Sequence, residues 1–351
     1  MAARKRKRSP GLRDAARKRG KSKGETPGAH VDAADAPDSA VPGRVIAHHG
    51  VAVLVRFEDG EERQVWLQPE QRAVVGDRVL VAGERLYVEA PYGVLRRRDA
   101  RGRERTIAVN LDVLGIVVAP EPREPPGYID RGFVIARSAG IEPMVIVNKI
   151  DLEGGADLAR RLVEIYGESA KVLGVSAEQA RGLEEIREAL AGGRLGALVG
   201  PSGVGKSSLL NALVPDLELV VGELNRGSGK GRHTTTTATL HGLDGGGTLV
   251  DTAGFKDFIA VDVEATEVAQ YFPGFEDVLD GGCRFRDCLH QTEPDCCVLS
   301  ALAEGAVDER RHRAYVALQT ELAEGTVPMR HRTARGRRGA SDDDPFGEEP
   351  G

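Results

Sequence analysis

Apolar and polar positions alternate from Pro42 onward, through GRVIAHHGVAVLVRF, EERQVWLQ and GDRVLVAGERLYVEA. A period of two marks half-buried strands. Glu58-Asp59-Gly60 and Val75-Gly76-Asp77 supply turns between them. Five or so short strands in about fifty residues predict a small barrel, which either packs as a module or binds an oligonucleotide. From residue 110 the pattern changes. VLGIVVA (113–119) is an unbroken apolar run, as in a strand buried on both faces of a parallel sheet. YIDRGFVIARSAG (128–140) has helical spacing, EPMVIVNKID is a second buried strand, and ADLARRLVEIYG is an amphipathic helix closed by Gly167. KVLGVSA, GLEEIREALAG, GALVG, KSSLLNALV and GTLVDTAG continue the alternation. Such alternation predicts a parallel sheet covered by helices. Beyond about residue 270 it gives way to two helical segments, VLSALAEG and DERRHRAYVALQTELAEG.

Between barrel and sheet lies LRRRDARGRER (95–105), with six arginines against Asp99 and Glu104. It reads as a solvated linker or a phosphate-contacting loop. The expected division is a disordered basic extension (1–40), a barrel (41–95), an Arg-rich linker (96–108), a nucleotide-binding domain (109–270), a metal-binding helical domain (271–328) and a disordered charged tail (329–351).

Charge alters this picture. The chain carries 48 Lys/Arg against 54 Asp/Glu, a net −6 that by itself argues against a nucleic-acid partner. The charge is segregated, however. Residues 1–24 hold eleven Lys/Arg against Asp14, so an arm of +10 sits on a body of −16. Basic arms of this kind bind nucleic acid. No run of 18 apolar residues is present to span a membrane. The opening MAARKRKRSP develops no apolar segment, so no secretory signal is expected. The four cysteines, Cys283, Cys288, Cys296 and Cys297, fall within 15 residues. A disulfide framework would scatter them and a metal site would cluster them, which points to a reducing cytoplasm.

GPSGVGKS (200–207) fits G-x-x-x-x-G-K-[ST], between the strand GALV and the helix SSLLNALV as the motif requires. Gly200, Gly203 and Gly205 let successive N–H groups turn toward phosphate oxygens, and the helix N-terminus adds partial positive charge. Lys206 reaches the β and γ phosphates, and Ser207 offers its hydroxyl to Mg2+. The nucleotide is read elsewhere. NKID (148–151) closes a buried strand, where open α/β sheets place ligands. Asp151 can accept from guanine N1–H and the exocyclic amine, a donor pair that adenine lacks. Asn148 can tie loops together, and the stem of Lys149 can lie along the base. In VSA, Ser176 and Ala177 close another strand, and the Ala177 N–H can meet guanine O6. DTAG (251–254) puts Asp251 toward Mg2+ through water and the Gly254 N–H toward the γ phosphate. In GRHTTTT (231–237), one hydroxyl of Thr234, Thr235 and Thr236, taken as Thr235, completes the Mg2+ shell. The GTP-binding set is therefore Asn148, Lys149, Ile150, Asp151, Ser176, Ala177, Gly200, Pro201, Ser202, Gly203, Val204, Gly205, Lys206, Ser207, Ser208 and Gly254, with Ser207, Thr235 and Asp251 on magnesium. Phe255 stands where many GTPases carry a water-orienting Gln, which leaves His233 as the candidate for that task beside Lys206.

CRFRDCLHQTEPDC supplies Cys283, Cys288, His290 and Cys296. Three thiolates and an imidazole make a closed tetrahedral, structural zinc set. Cys297 is either a free thiol or a competing ligand, and spacing does not choose.

In ordinary GTPases the P-loop precedes NKxD; here NKID and VSA come first, then GPSGVGKS, GRHTTT and DTAG. That order is a circular permutation. With the barrel in front and C-x4-C-x-H-x5-C behind, the chain over roughly 41–328 resembles the RsgA family of bacterial small-ribosomal-subunit biogenesis GTPases. Other permuted GTPases typically carry Asn where Gly203 stands and lack the cysteine segment. The resemblance implies an α/β P-loop GTPase core with an N-terminal OB-fold barrel and a C-terminal zinc-binding helical domain. It also implies GTP hydrolysis with Mg2+, one structural Zn2+ with Cys296 rather than Cys297 as ligand, and binding to the 30S subunit and its 16S rRNA late in assembly. A cytoplasmic monomer is expected. The basic arm and charged tail depart from the family pattern. Two other classes share parts of this pattern: an RNA-binding protein that uses GTP only as a conformational ligand, and a P-loop ATPase or kinase, against which NKID argues.

Overall fold

A computed structural model describes residues 32–69, 71–98, 104–214, 217, 238–251 and 263–324. The alternating N-terminal segment forms five strands: β1 (Val41–His48), β2 (Ala52–Phe57), β3 (Glu62–Trp66), β4 (Arg78–Ala82) and β5 (Arg85–Val88). β1 pairs antiparallel with β2 and β4, β2 with β3, and β4 with β5. β3 comes alongside β5, without a ladder among the described residues. This is the order of a partly open five-stranded barrel. Val45, Val53, Val55, Val79, Val81 and Leu86 fill it. Their alternation in sequence is what puts them all inside.

The Arg-rich segment differs from the expected linker. Leu95–Arg98 (β6) and Glu104–Ala108 (β7) pair antiparallel as a hairpin. Its apolar ends, Leu95 and Ala108, are fully buried in the main core and anchor it. Residues 99–103 lie outside the described residues. Just beyond, Asn110 adopts a φ of 59°. Its side chain donates to the Gly76 carbonyl at 2.9 Å and accepts from the Tyr92 N–H at 3.1 Å. Gly76 has a φ of +97°, and a Cβ there would lie 2.2 Å from the Val109 carbonyl oxygen. Glycine is required at that close approach.

The central sheet runs β10 (Lys171–Gly174), β9 (Glu142–Val147), β8 (Val113–Val118), β11 (Leu195–Val199), β13 (Thr248–Asp251) and β12 (Thr239–Gly242). All pairings are parallel except β12 with β13. Helices α1 (Tyr128–Ser138) and α2 (Gly155–Tyr166) share one core with Leu114, Ile116 and Val118. Helices α3 (Glu184–Leu190) and α4 (Lys206–Leu213) share the other with Val113 and Val117. Alternate residues of β8 thus face opposite layers, which explains its unbroken apolar run. The barrel meets this sheet at its edge. A register irregularity between Val45 and Ala47 lets β1 turn out of the barrel, and Ala47 pairs with Thr239 of β12.

The C-terminal helices are α5 (Val268–Tyr271), α6 (Cys297–Ala303) and α7 (Glu309–Glu324). Phe272, Phe275 and Tyr315 meet in tilted and edge-on contacts with ring centroids 5.0–5.3 Å apart, in a core that also takes in Val134 of α1. Ion pairs reinforce this contact. Arg311 on α7 donates to Asp130 Oδ1 of α1 at 2.7 Å, and Tyr166 Oη donates to the same oxygen at 2.9 Å. Arg131 pairs with Glu321, and Arg137 with Glu276. Among the described residues no helix is long and apolar enough to cross a membrane.

Candidate functional site

The carboxyl ends of β8, β9, β10 and β11 converge on four loops, the position in which open parallel sheets hold ligands. β11 runs into 200–205, and α4 begins at Lys206. Gly203 and Gly205 have φ values of +92° and +93°, a region L side chains rarely enter. A Cβ at Gly205 would stand 2.3 Å from Asn148 Nδ2, and one at Gly200 would stand 2.5 Å from the Val117 carbonyl oxygen. The backbone is packed closely against its neighbours there. Lys206 Nζ donates to the carbonyls of Gly200 and Pro201 at 2.6 and 2.9 Å. Its ammonium is held over the loop.

Asn148 is 1% exposed at the end of β9. Its Nδ2 donates to the Val204 carbonyl at 2.9 Å, and its Oδ1 accepts from the Ala177 N–H at 3.1 Å. One carboxamide therefore joins the NKID, P-loop and VSA segments. Lys149, with a φ of 63°, donates to the carbonyls of Gly203 at 2.7 Å and Glu121 at 2.9 Å. Ser176 is fully buried. Its backbone exchanges two bonds with Arg181 and its Oγ accepts from the Gln179 N–H, so the loop is closed. Ile150 packs on the core beneath. Asp151 differs from all these. Its Oδ1 is buried and has no hydrogen-bond partner among the described residues.

Asp251 ends β13, directly opposite Thr239. Burial raises its pKa, and the nearby charges of His241 and Lys206 oppose that rise. His233, Thr234, Thr235, Thr236, Gly254 and Phe255 lie outside the described residues. Sequence reasoning missed the part played by Glu121. Its contribution is a main-chain carbonyl, and no side-chain pattern announces that. It also missed His241, whose Nε2 lies 2.9 Å from Thr239 Oγ1.

The second cluster brings the Sγ atoms of Cys283, Cys288 and Cys296 and a ring nitrogen of His290 within 4.8 Å of one another. Cys296 joins this group; Cys297 does not. The Cys297 N–H donates to Cys283 Sγ at 3.4 Å, and the two Sγ atoms are 3.2 Å apart. Burial pushes the Cys288 thiol up to about 12, so a thiolate there needs a cation beside it. The donor set fits zinc, with three soft sulfurs and one imidazole at tetrahedral count. Glu293 shapes the loop between ligands. Its carboxylate accepts the N–H groups of Leu289, Gln291 and Thr292 at 2.8–3.0 Å. Burial works against the charge, yet these bonds hold the carboxyl down at about 2. His312 and Tyr315 of α7 bind the His290 and Leu289 carbonyls, which fastens the loop to the helix.

A largely parallel sheet in which the NKID strand β9 and the VSA strand β10 precede the P-loop strand β11 in the chain defines a circularly permuted P-loop GTPase. Comparison with known proteins then places it more narrowly. The family model described as RsgA GTPase matches residues 90–260. The small ribosomal subunit biogenesis GTPase RsgA of Pseudomonas fluorescens Pf-5 is 40% identical over 298 residues, spanning 81% of this chain and 86% of that protein. Its counterpart in Azotobacter vinelandii is 41% identical over 296 residues, 80% and 86% of the two chains. The crystal structure of YjeQ from Thermotoga maritima superposes with a TM-score of 0.63 at 31% identity, over 81% of this chain and 99% of that one. YloQ, described as a circularly permuted GTPase, gives 0.62 at 24% identity over 83% and 97%, a likeness in fold. The chain belongs to the RsgA family and is a hydrolase acting on GTP.

Proposed function

We propose that this protein hydrolyses GTP to GDP and phosphate while bound to the 30S subunit during late small-subunit maturation, with turnover stimulated by the ribosome. The observation that carries the guanine part is the buried, unpartnered Asp151 Oδ1 beside the Asn148 knot. A buried carboxylate oxygen without a donor is costly, and guanine's N1–H and exocyclic amine would satisfy it. The Ala177 N–H and the Lys149 stem would flank the base. N–H groups of 200–208 and Lys206 Nζ would receive the phosphates. Ser207, Thr235 and Asp251 would hold Mg2+. The ion would supply positive charge against the phosphates and so neutralise charge that develops there. Cys283, Cys288, His290 and Cys296 would hold one structural Zn2+.

Phe255 cannot orient water, so intrinsic turnover is slow in this reading. The ribosome orders 225–237 and brings His233 to the attacking water. The domain divisions at about 41, 96, 109, 271 and 328 are part of the proposal, as are an OB-type barrel, the cytoplasm and a monomer. The +10 arm supports a 16S rRNA partner. The deciding experiment is the GTPase rate with and without purified 30S subunits. Strong stimulation is expected, and no stimulation would remove the ribosomal part of the reading. His233→Ala should bind GTP normally and lose the stimulated rate.

A further inference from the structure

Cys297 is the one cysteine outside the four-donor set, yet its sulfur is nearer to Cys283 than that of Cys296 is, 3.2 Å against 3.9 Å. Cys283 and Cys297 are both partly exposed, whereas Cys288 and Cys296 are buried. A small oxidant therefore reaches the first pair before the second. Cys297 opens α6, and its N–H already points at Cys283 Sγ, so the two backbones are set for close approach. We propose that Cys283 and Cys297 form an oxidation site for hydroperoxides, closing a disulfide that takes one ligand away from the zinc. This rests on the zinc reading above.

The chemistry balances with the peroxide as sole oxidant. Cys283, a thiolate while it ligates, attacks the peroxide: its S–O bond forms, the O–O bond breaks, and the departing hydroxide takes up a proton as water. The Cys297 thiol then attacks the sulfenic sulfur: the S–S bond forms, the S–O bond breaks, and hydroxide leaves with the thiol proton as a second water. Two sulfurs are oxidised and one peroxide is reduced. A reactive cysteine poised beside a resolving one is the usual arrangement of redox-sensing thiols. Cys288, His290 and Cys296 remain as three donors, one short of a closed zinc site. The loop between them, tied to α7 through His312 and Tyr315, loses the ion that cross-links it to α6.

The test is titration of the full-length zinc protein with hydrogen peroxide. Released zinc is followed with a chromophoric chelator, and disulfides are mapped by mass spectrometry. Wild type should release its zinc together with two thiols, yield a peptide joining Cys283 to Cys297, and recover both on reduction in the presence of zinc. Cys297→Ser should start with the same zinc content and release it several-fold more slowly. Equal release rates in the two proteins would overturn the proposal. So would a wild-type disulfide joining Cys288 to Cys296. If neither protein carries zinc at the outset, the zinc reading fails, and the peptide map still decides whether Cys283 and Cys297 pair.

Discussion

Replacing Asn148 with alanine removes both hydrogen bonds of the carboxamide that joins three loops. The Val204 carbonyl and the Ala177 N–H lose partners at 2.9 and 3.1 Å, in a place where Asn148 itself is 1% exposed. Each polar group left unsatisfied costs about 1–3 kcal/mol, which puts the pair at about 2–4 kcal/mol if the site relaxes in part. The loss divides between fold stability and GTP affinity. With tenfold in affinity for every 1.4 kcal/mol, GTP binding should weaken at least about tenfold. Isothermal titration with a non-hydrolysable GTP analogue measures it. Asn148→Asp separates the two bonds. One carboxylate oxygen still accepts from Ala177, while the other is pressed against the Val204 carbonyl as acceptor against acceptor. It should bind at least as poorly as the alanine variant. If Asn148→Ala binds within twofold of wild type and melts at the same temperature, the loops are held by something else and the reasoning fails.

Asp151→Asn places a donor where guanine presents donors, and should reduce GTP affinity by one to two orders of magnitude, about 1–3 kcal/mol, in the same titration. Asp130→Ala leaves the largely buried Arg311 guanidinium without its carboxylate. Removing one partner of a buried pair costs about 3–5 kcal/mol, and limited proteolysis between α6 and α7 should accelerate accordingly. Glu293→Gln should weaken hydrogen-exchange protection at Leu289, Gln291 and Thr292. Because the folded carboxyl sits at about 2 against an ordinary 4.5, ionised Glu293 contributes fully above 4.5 and loses its contribution as pH falls toward 2. The gap between wild type and variant should therefore close across that window; a gap constant with pH would refute the charge assignment. Deleting residues 1–24 removes eleven Lys/Arg and should weaken 30S binding and flatten its dependence on salt.

The P-loop and its flanking strand and helix were legible because each residue type answers a local need, Gly for left-handed backbone and Lys for charge. The buried strands were legible because β8 and β11 face helices on both sides and so carry no polar positions. The Arg-rich hairpin was not. LRRR and ERTIA show no apolar alternation, and pairing there is carried by main-chain bonds and two buried ends. Cys296 and Cys297 are neighbours, so spacing could not separate them; the turn into α6 aims one sulfur at the cluster and sets the other beside Cys283. The Asp130–Arg311–Tyr166 contact joins residues up to 181 apart, and nothing local in either segment names the other.

The pairing of Ala47 with Thr239 bears on solubility. A sheet edge with unpaired N–H and C=O groups is a template for aggregation, and β12 would be such an edge. The barrel strand β1 takes up its first rung, while the opposite edge, β10, is a strand of only four residues. Among the described residues, the central sheet thus presents no long free margin to another chain. A protein stripped of its barrel would keep the GTP loops and leave the Thr239 rung of β12 unpaired, and would be expected to aggregate for that reason rather than from any defect in its core.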